Sequence, residues 1–371
     1  MSEIHTLTMP KWGLSMTEGR VDTWLRHEGE RIEKGDAVLD VETDKISSSV
    51  EAPFAGTLRR VLAETDQTLP VGALLAVVVE GEASDEEVDA VIARFQAEYQ
   101  PGTEESQAGG PVAEKAEVNG RILRWLDMGE GGTPLVLVHG FGGDLNNWLF
   151  NQPVLAGERR VIALDLPGHG ESGKALASGD LDELSGSVLA LLDRLDIERA
   201  HLAGHSMGGA VCLNLARLAP ERVASLTLIA SAGLGDTING EYLNGFVAAN
   251  SRNSLKSQLV KLFSDPALVS RQMLEDMLKY KRLEGVEQAL GTLAGRLFSE
   301  GRQANVLREQ VVRQPTLVIW GADDAIIPAA HAEGLETRVE ILFGQGHMVQ
   351  MEAADRVNTL VGGFIEEVDN T

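Results

Sequence analysis

Ala200-His201-Leu202-Ala203-Gly204-His205-Ser206-Met207-Gly208 runs from a short apolar segment into a helical pattern that continues to about Ala219. A strand that turns sharply into a helix brings its two backbones close together, so glycines are needed on both sides of the turn residue. Such a turn pushes Ser206 Oγ out over a sheet. The helix start behind it offers free N–H groups and the positive end of a dipole. Five residues of this kind also arise by chance, so their meaning lies in the surroundings.

Working outward, Leu135–His139, Val161–Asp165, Leu226–Ala230, Thr316–Trp320 and Val339–Phe343 also read as buried strands, with helical patterns between them. That alternation predicts a mostly parallel sheet covered on both faces. His139-Gly140-Phe141-Gly142-Gly143 follows the first of these strands. Such a loop can offer the Phe141 N–H, together with the Met207 N–H, to an oxyanion. A serine nucleophile also needs a carboxylate and then a histidine, in that chain order. Trp320-Gly321-Ala322-Asp323-Asp324 and Gly344-Gln345-Gly346-His347 both fall at the ends of late strands.

This set, with Leu164-Asp165-Leu166-Pro167-Gly168-His169-Gly170, resembles the α/β-hydrolase fold family across 119–371. The resemblance implies Ser206 as nucleophile, Asp324 as acid and His347 as base, with Asp323 the runner-up acid. Some relatives carry the acid after the preceding strand, but Ala230-Ser231-Ala232 stands there. His205 reads as packing and His139 as support for its loop, while Cys212 reads as a buried apolar group in the helix. Residues 234–314 are long, helix-rich and inserted between two strands, which predicts a lid over Ser206. The lid carries a net charge of +2 in an otherwise acidic chain, and Lys279, Lys281 and Arg282 cluster in it. They read either as solvated helix faces or as a landing site for an anion.

Residues 1–80 read differently. Short runs such as Val38–Val41, Thr57–Leu62 and Leu74–Val79 between Gly, Pro and charged turns predict an all-β unit. Offset by 37 residues, Gly29-x-x-Ile32-x-x-Gly35-x-x-Val38-x-x-Val41 lies over Asp66-x-x-Leu69-x-x-Gly72-x-x-Leu75-x-x-Val78. Two similar halves suggest two small sheets related by a pseudo-two-fold axis. Glu42-Thr43-Asp44-Lys45-Ile46 falls at their junction, where a hairpin tip is expected. With Met9-Pro10-Lys11, Gly13-Leu14-Ser15-Met16-Thr17-Glu18-Gly19 and Ala52-Pro53-Phe54-Ala55-Gly56, the stretch resembles a lipoyl domain, a flattened barrel of two small sheets. The resemblance implies lipoate amide-linked to Lys45. Biotin carriers place methionine on both sides of their lysine, whereas Asp44 and Ile46 flank this one.

Residues 81–118 carry net −8, the most acidic stretch for its length, and read as a linker. Ser84-Asp85-Glu86-Glu87 is a capping box. Val88, Val91, Ile92, Phe95 and Tyr99 follow at helical spacing, which predicts an amphipathic helix over about 85–99. Its apolar face either packs on its own chain or docks another subunit.

Composition closes off other classes. The net charge of −24 disfavours nucleic acid and anionic lipid as partners. The sequence has no apolar run of about 18 residues, so no membrane span is expected. Met1 to Met16 lacks the pattern of a secretory signal. A single cysteine excludes a disulfide framework and a cysteine-based metal site, and suits a cytoplasmic setting. No metal is called for.

The two halves combine chemically, because a lipoyl arm carries acyl groups as thioesters and a serine triad attacks acyl carbons. The fusion resembles the acetyltransferase components of acetoin dehydrogenase complexes. That resemblance implies acetyl transfer from Lys45-bound dihydrolipoate to coenzyme A. It also implies thiamine-dependent acetoin dehydrogenase subunits and dihydrolipoamide dehydrogenase as partners, with self-association open. The H-x-x-x-D-G motif of other lipoyl-dependent acyltransferases is absent. Two alternatives stand beside this reading. One is a serine hydrolase of esters, thioesters or a C–C bond that the lipoyl domain merely places in a complex. The other is a carrier whose triad is idle.

Overall fold

The computed structural model describes residues 3–10, 18–42, 47–81, 83–99 and 112–371. The chain forms two compact units, Met1–Gly110 and, apart from Ser270–Gln272, Pro111–Thr371.

The first unit contains β1 (Glu3–Thr8), β2 (Glu18–Trp24), β3 (Arg31–Ile32), β4 (Ala37–Glu42), β5 (Ser47–Glu51), β6 (Gly56–Val61), β7 (Thr68–Pro70) and β8 (Leu74–Glu80). They form two four-stranded sheets, ordered β1-β8-β6-β3 and β5-β4-β2-β7. Exchanging each strand with the one four places along the chain turns one order into the other, as the repeat predicts. The turns repeat as well. Gly35 and Gly72 have φ of 91° and 78°, while Gly29 at 86° is answered by Asp66 at 65°. Leu39, Val41, Leu58, Leu75 and Val78 fill the shared core. β4 and β5 pair with Glu42 opposite Ser47, and residues 43–46 join them. Lys45 lies outside the described residues, as does the whole stretch from Lys11 to Thr17.

Helix α1 (Asp85–Glu98) begins with both hydrogen bonds of the capping box at Ser84 and Glu87. Its Val88 and Ile92 pack against Val77 and Val79 of β8, and Tyr99 Oη donates to the carbonyl of Val71 at 3.1 Å. The apolar face is thus covered by its own unit. The linker expected over 81–118 is shorter at both ends, because α1 belongs to the β-unit and Glu114–Val118 is already a strand of the next sheet.

That sheet contains β9 (Glu114–Val118), β10 (Arg121–Met128), β11 (Leu135–Val138), β12 (Val161–Asp165), β13 (Ala200–His205), β14 (Val223–Ile229), β17 (Thr316–Gly321) and β18 (Arg338–Leu342). A two-stranded ribbon, β15 (Phe298–Ser299) and β16 (Arg302–Gln303), lies apart from it. The order is β18-β17-β14-β13-β11-β12-β10-β9. β10 runs antiparallel to β9 and β12, and the ladder from β12 to β18 is parallel. All residues of β11, β12, β13, β14 and β17 are buried, as in a sheet covered on both faces. The covering helices are α2 (Gln152–Leu155), α3 (Leu181–Arg194), α4 (Met207–Leu218), α9 (Val349–Glu352) and α10 (Ala354–Asp369). The expected lid is the insertion between β14 and β17. It holds α5 (Gly240–Ala248), α6 (Arg252–Leu259), α7 (Arg271–Lys281) and α8 (Val286–Leu297).

Candidate active site

Ser206 joins β13 to α4 with φ 53° and ψ −120°. A non-glycine residue held there stores on the order of 1–3 kcal/mol of strain. Three hydrogen bonds hold it: Ser206 N donates to the Ile229 carbonyl at 3.0 Å, and the Ser206 carbonyl accepts from Gly209 and Ala232 at 2.9 Å each. The flanking glycines are needed for space. A Cβ on Gly204 would sit 2.4 Å from the Gly208 carbonyl oxygen, and one on Gly208 would sit 2.1 Å from that of Val138. Gly140 also touches the elbow, since a Cβ there would lie 3.0 Å from Ser206 Cβ.

His347 Nδ1 lies 2.8 Å from Asp324 Oδ2. Trp320 Nε1 donates to the same oxygen at 3.0 Å, and the Ile326 and Ile327 N–H groups donate to Oδ1 at 2.8 and 3.0 Å. A carboxylate that only accepts fixes the proton on Nδ1, which leaves Nε2 of His347 as the basic atom. Asp323 is exposed, so the structure brings Asp324 to His347 and not the runner-up.

The loop after β11 is organised by His139, a buried residue that was read only as loop support. Its Nδ1 lies 2.7 Å from the Gly140 carbonyl, and Nε2 accepts from the Leu166 N–H at 3.0 Å. Burial pushes the His139 pKa down, and this neutral tautomer satisfies both contacts. Phe141 is wedged edge-on against His169, Phe246 and Phe298. Met207 is the first residue of α4, so its N–H has no intrahelical acceptor.

One cavity collects these groups. Gly140, Phe141, His205, Ser206 and His347 line it, with Phe246, Phe263, Met273, Met277, Met348 and Met351 supplied by the lid and by the segment after the base. Its volume is about 110 Å³. Pockets for drug-sized ligands span roughly 300–1,000 Å³, so this one suits a short acyl group and the end of a chain. Among the described residues lining it, no lysine or arginine occurs. The methionines and Asn147, which also lines it, were not anticipated, because nothing in their local sequence separates them from core or loop.

Lys279, Lys281 and Arg282 are not among the residues that line this cavity. Lys281 Nζ donates to the carbonyls of Phe246 and Val247, the latter at 3.0 Å. It caps the C-terminal end of α5, where carbonyls lack intrahelical partners. Lys279 pairs with Asp276 at 3.8 Å, and Arg282 is exposed. Cys212 is buried and its thiol pKa is pushed up, so no enzyme thiol competes for an acyl group there.

A strained serine over a parallel sheet, a histidine in the same cavity and a two-sheet β-unit ahead of them define an α/β-hydrolase fold joined to a lipoyl domain. Residues 133–354 match the α/β-hydrolase fold family, and residues 5–78 match the biotin-requiring enzyme family. A dihydrolipoyllysine-residue acetyltransferase component of the acetoin cleaving system from Pseudomonas putida is 69% identical over 99% of this chain and 100% of its own length. A protein of the same description from Cupriavidus necator is 47% identical over 96% of each chain. Among solved structures, a meta-cleavage product hydrolase from Pseudomonas fluorescens is 27% identical, with a TM-score of 0.61, covering 68% of this chain and 97% of that one. The chain belongs to the family of dihydrolipoyllysine-residue acetyltransferase components of acetoin-cleaving systems, built on the α/β-hydrolase fold.

Proposed function

We propose that the chain transfers acetyl from dihydrolipoate on Lys45 to coenzyme A through Ser206, His347 and Asp324, as a component of an acetoin-cleaving multienzyme system. The observation that carries this reading is the shared cavity of Ser206 and His347 in a chain whose other unit is a lipoyl domain. Glu42 and Ser47 pair at the ends of β4 and β5, and Lys45 falls between them in the sequence. When bound there, lipoate supplies a thiol that carries acetyl as a thioester.

The chain's own residues do the rest. His347 Nε2 takes the Ser206 proton as Oγ attacks the acetyl carbon. The Phe141 and Met207 N–H groups receive the carbonyl oxygen as it gains charge. Asp324 keeps the imidazolium oriented, and His347 returns the proton to the departing sulfur. Acetyl-Ser206 remains. A second thiol then gives its proton to His347 and attacks the same carbon, which frees Ser206. A thiol leaves near pKa 8.5, so acylation from a thioester is easy, and one thioester replaces another at near energetic balance. The apolar lining disfavours water as the acceptor. The finer assignment of partners is thiamine-dependent acetoin dehydrogenase subunits and dihydrolipoamide dehydrogenase, in the cytoplasm.

The likeness to a meta-cleavage product hydrolase favours one second reading, a tethered serine hydrolase. Acetylating the lipoylated protein and following the label with and without coenzyme A separates the two. The first reading gives acetyl-CoA, and the second gives acetate whatever the thiol concentration.

A further inference from the structure

The loop that carries His347 is bonded to the lid through one side chain. Glu352, in α9, accepts from the Gly346 N–H at 3.1 Å, one residue before the base. It also accepts from Ser264 of the lid, through the N–H at 3.1 Å and Oγ at 2.5 Å. Met348 N donates to the Leu262 carbonyl at 3.0 Å, so the lid is fastened on both sides of the base. Gly346 leaves no gap between the two segments. A Cβ there would lie 2.7 Å from Ser264 N and 2.9 Å from the carbonyl carbon of Phe263. Leu262 and Phe263 on the lid side, with Met348 and Met351 on the other, form cavity wall.

We propose that Glu352 is a positioning residue that fastens the lid segment Leu262–Ser264 to the loop of His347, so that the wall against water is held closed beside the base. The inference rests on the acyl-serine reading above. Its consequence lies in the fate of acetyl-Ser206. With the lid fastened, the carbon is taken by a thiol, which gives a new thioester and free Ser206. With the lid unfastened, water attacks, His347 accepts its proton, and acetate leaves as Ser206 is regenerated.

The test uses the full lipoylated chain, acetylated on its arm and mixed with coenzyme A, with acetate and acetyl-CoA quantified together. Glu352→Gln places an amide NH₂ against N–H donors, and is expected to raise the acetate fraction about tenfold while lowering total turnover. Ser264→Ala leaves the Gly346 bonds intact, and is expected to raise the acetate fraction about threefold with total turnover nearly unchanged. An unchanged acetate fraction in Ser264→Ala would overturn the proposal, and this arm decides if Glu352→Gln fails to fold. Absence of any Ser206-dependent product in the wild type would overturn the acyl-serine reading itself, a different signature.

Discussion

Asp324 accepts from four donors at once, and the Nδ1 of His347 is the one at 2.8 Å that bears on chemistry. The other three hold the carboxylate whether or not the histidine is present. Asp324→Asn keeps an acceptor for the Ile326 and Ile327 N–H groups, leaves Trp320 Nε1 its bond to the Ile327 carbonyl at 3.1 Å, and turns toward His347 an amide that no longer fixes the histidine tautomer. The expected result is a loss of about 10⁴ in turnover with a melting temperature close to wild type. Asp323→Asn, on an exposed side chain, is expected to stay within about twofold. Steady-state transfer rates and thermal melts of the two variants check both.

Two glycines around Ser206 separate chemistry from folding. Gly208→Ala drives a methyl to within 2.1 Å of the Val138 carbonyl oxygen, a backbone atom that cannot yield, so poor expression or a large drop in melting temperature is expected. Gly140→Ala meets Ser206 Cβ and His205 Nδ1 at 3.0 Å each, contacts that small shifts relieve. It is expected to fold and to lose about 10²–10³ in turnover through displaced oxyanion donors. Melting curves beside transfer rates distinguish the pair.

The cavity is lined largely by apolar side chains and carries no cationic lining among the described residues. Pantetheine, which has the same thiol arm without the phosphates, is expected to accept acetyl with a kcat/KM within about threefold of coenzyme A, since roughly 0.7 kcal/mol is all that such a ratio represents. Lys281→Ala is expected to lower the melting temperature by removing the cap of α5, and to leave the coenzyme A KM unchanged. A large rise in that KM would restore the basic cluster as an anion site.

Asp144 gives a pH dependence with a definite sign. Burial, and then the charge of Asp165, push its pKa up to about 6. An unfolded aspartate titrates near 3.9, so the folded state holds the proton more tightly. Ionisation therefore removes stability as pH rises from about 4 through 6, and the cost is complete above that. Asp144→Asn keeps the acceptor for Asn146 and removes the charge. It is expected to raise the melting temperature by roughly 2–4 °C at pH 8 and by much less at pH 5. Calorimetric scans at the two values check it.

Much of this was legible in the sequence, for identifiable reasons. Val161–Asp165 matches its strand end to end, because a buried parallel strand is a bare apolar run with turn residues on both sides. The 37-residue repeat gave the β-unit its symmetry, down to Gly35 and Gly72 at equivalent turns. That Asp324 meets His347, and that His347 shares a cavity with Ser206, follows the chain order in which each comes after a strand end. What stayed hidden depends on distant contacts. Glu114–Val118 is a polar edge strand with little apolar signal, and it read as linker. Lys281 looked like a charge for a ligand, because the α5 carbonyls it caps lie more than thirty residues away in sequence. Glu352 bonds Ser264 across 88 residues, a pairing that no local pattern announces.

The central claim is that acetyl passes through Ser206. The most direct measurement acetylates the lipoylated chain and follows the acetyl group on addition of coenzyme A, in wild type and in Ser206→Ala. The account predicts acetyl-CoA from the wild type and a loss on the order of 10⁶ in its rate from the variant. Acetyl-CoA formed at the same rate without the Ser206 hydroxyl would contradict it.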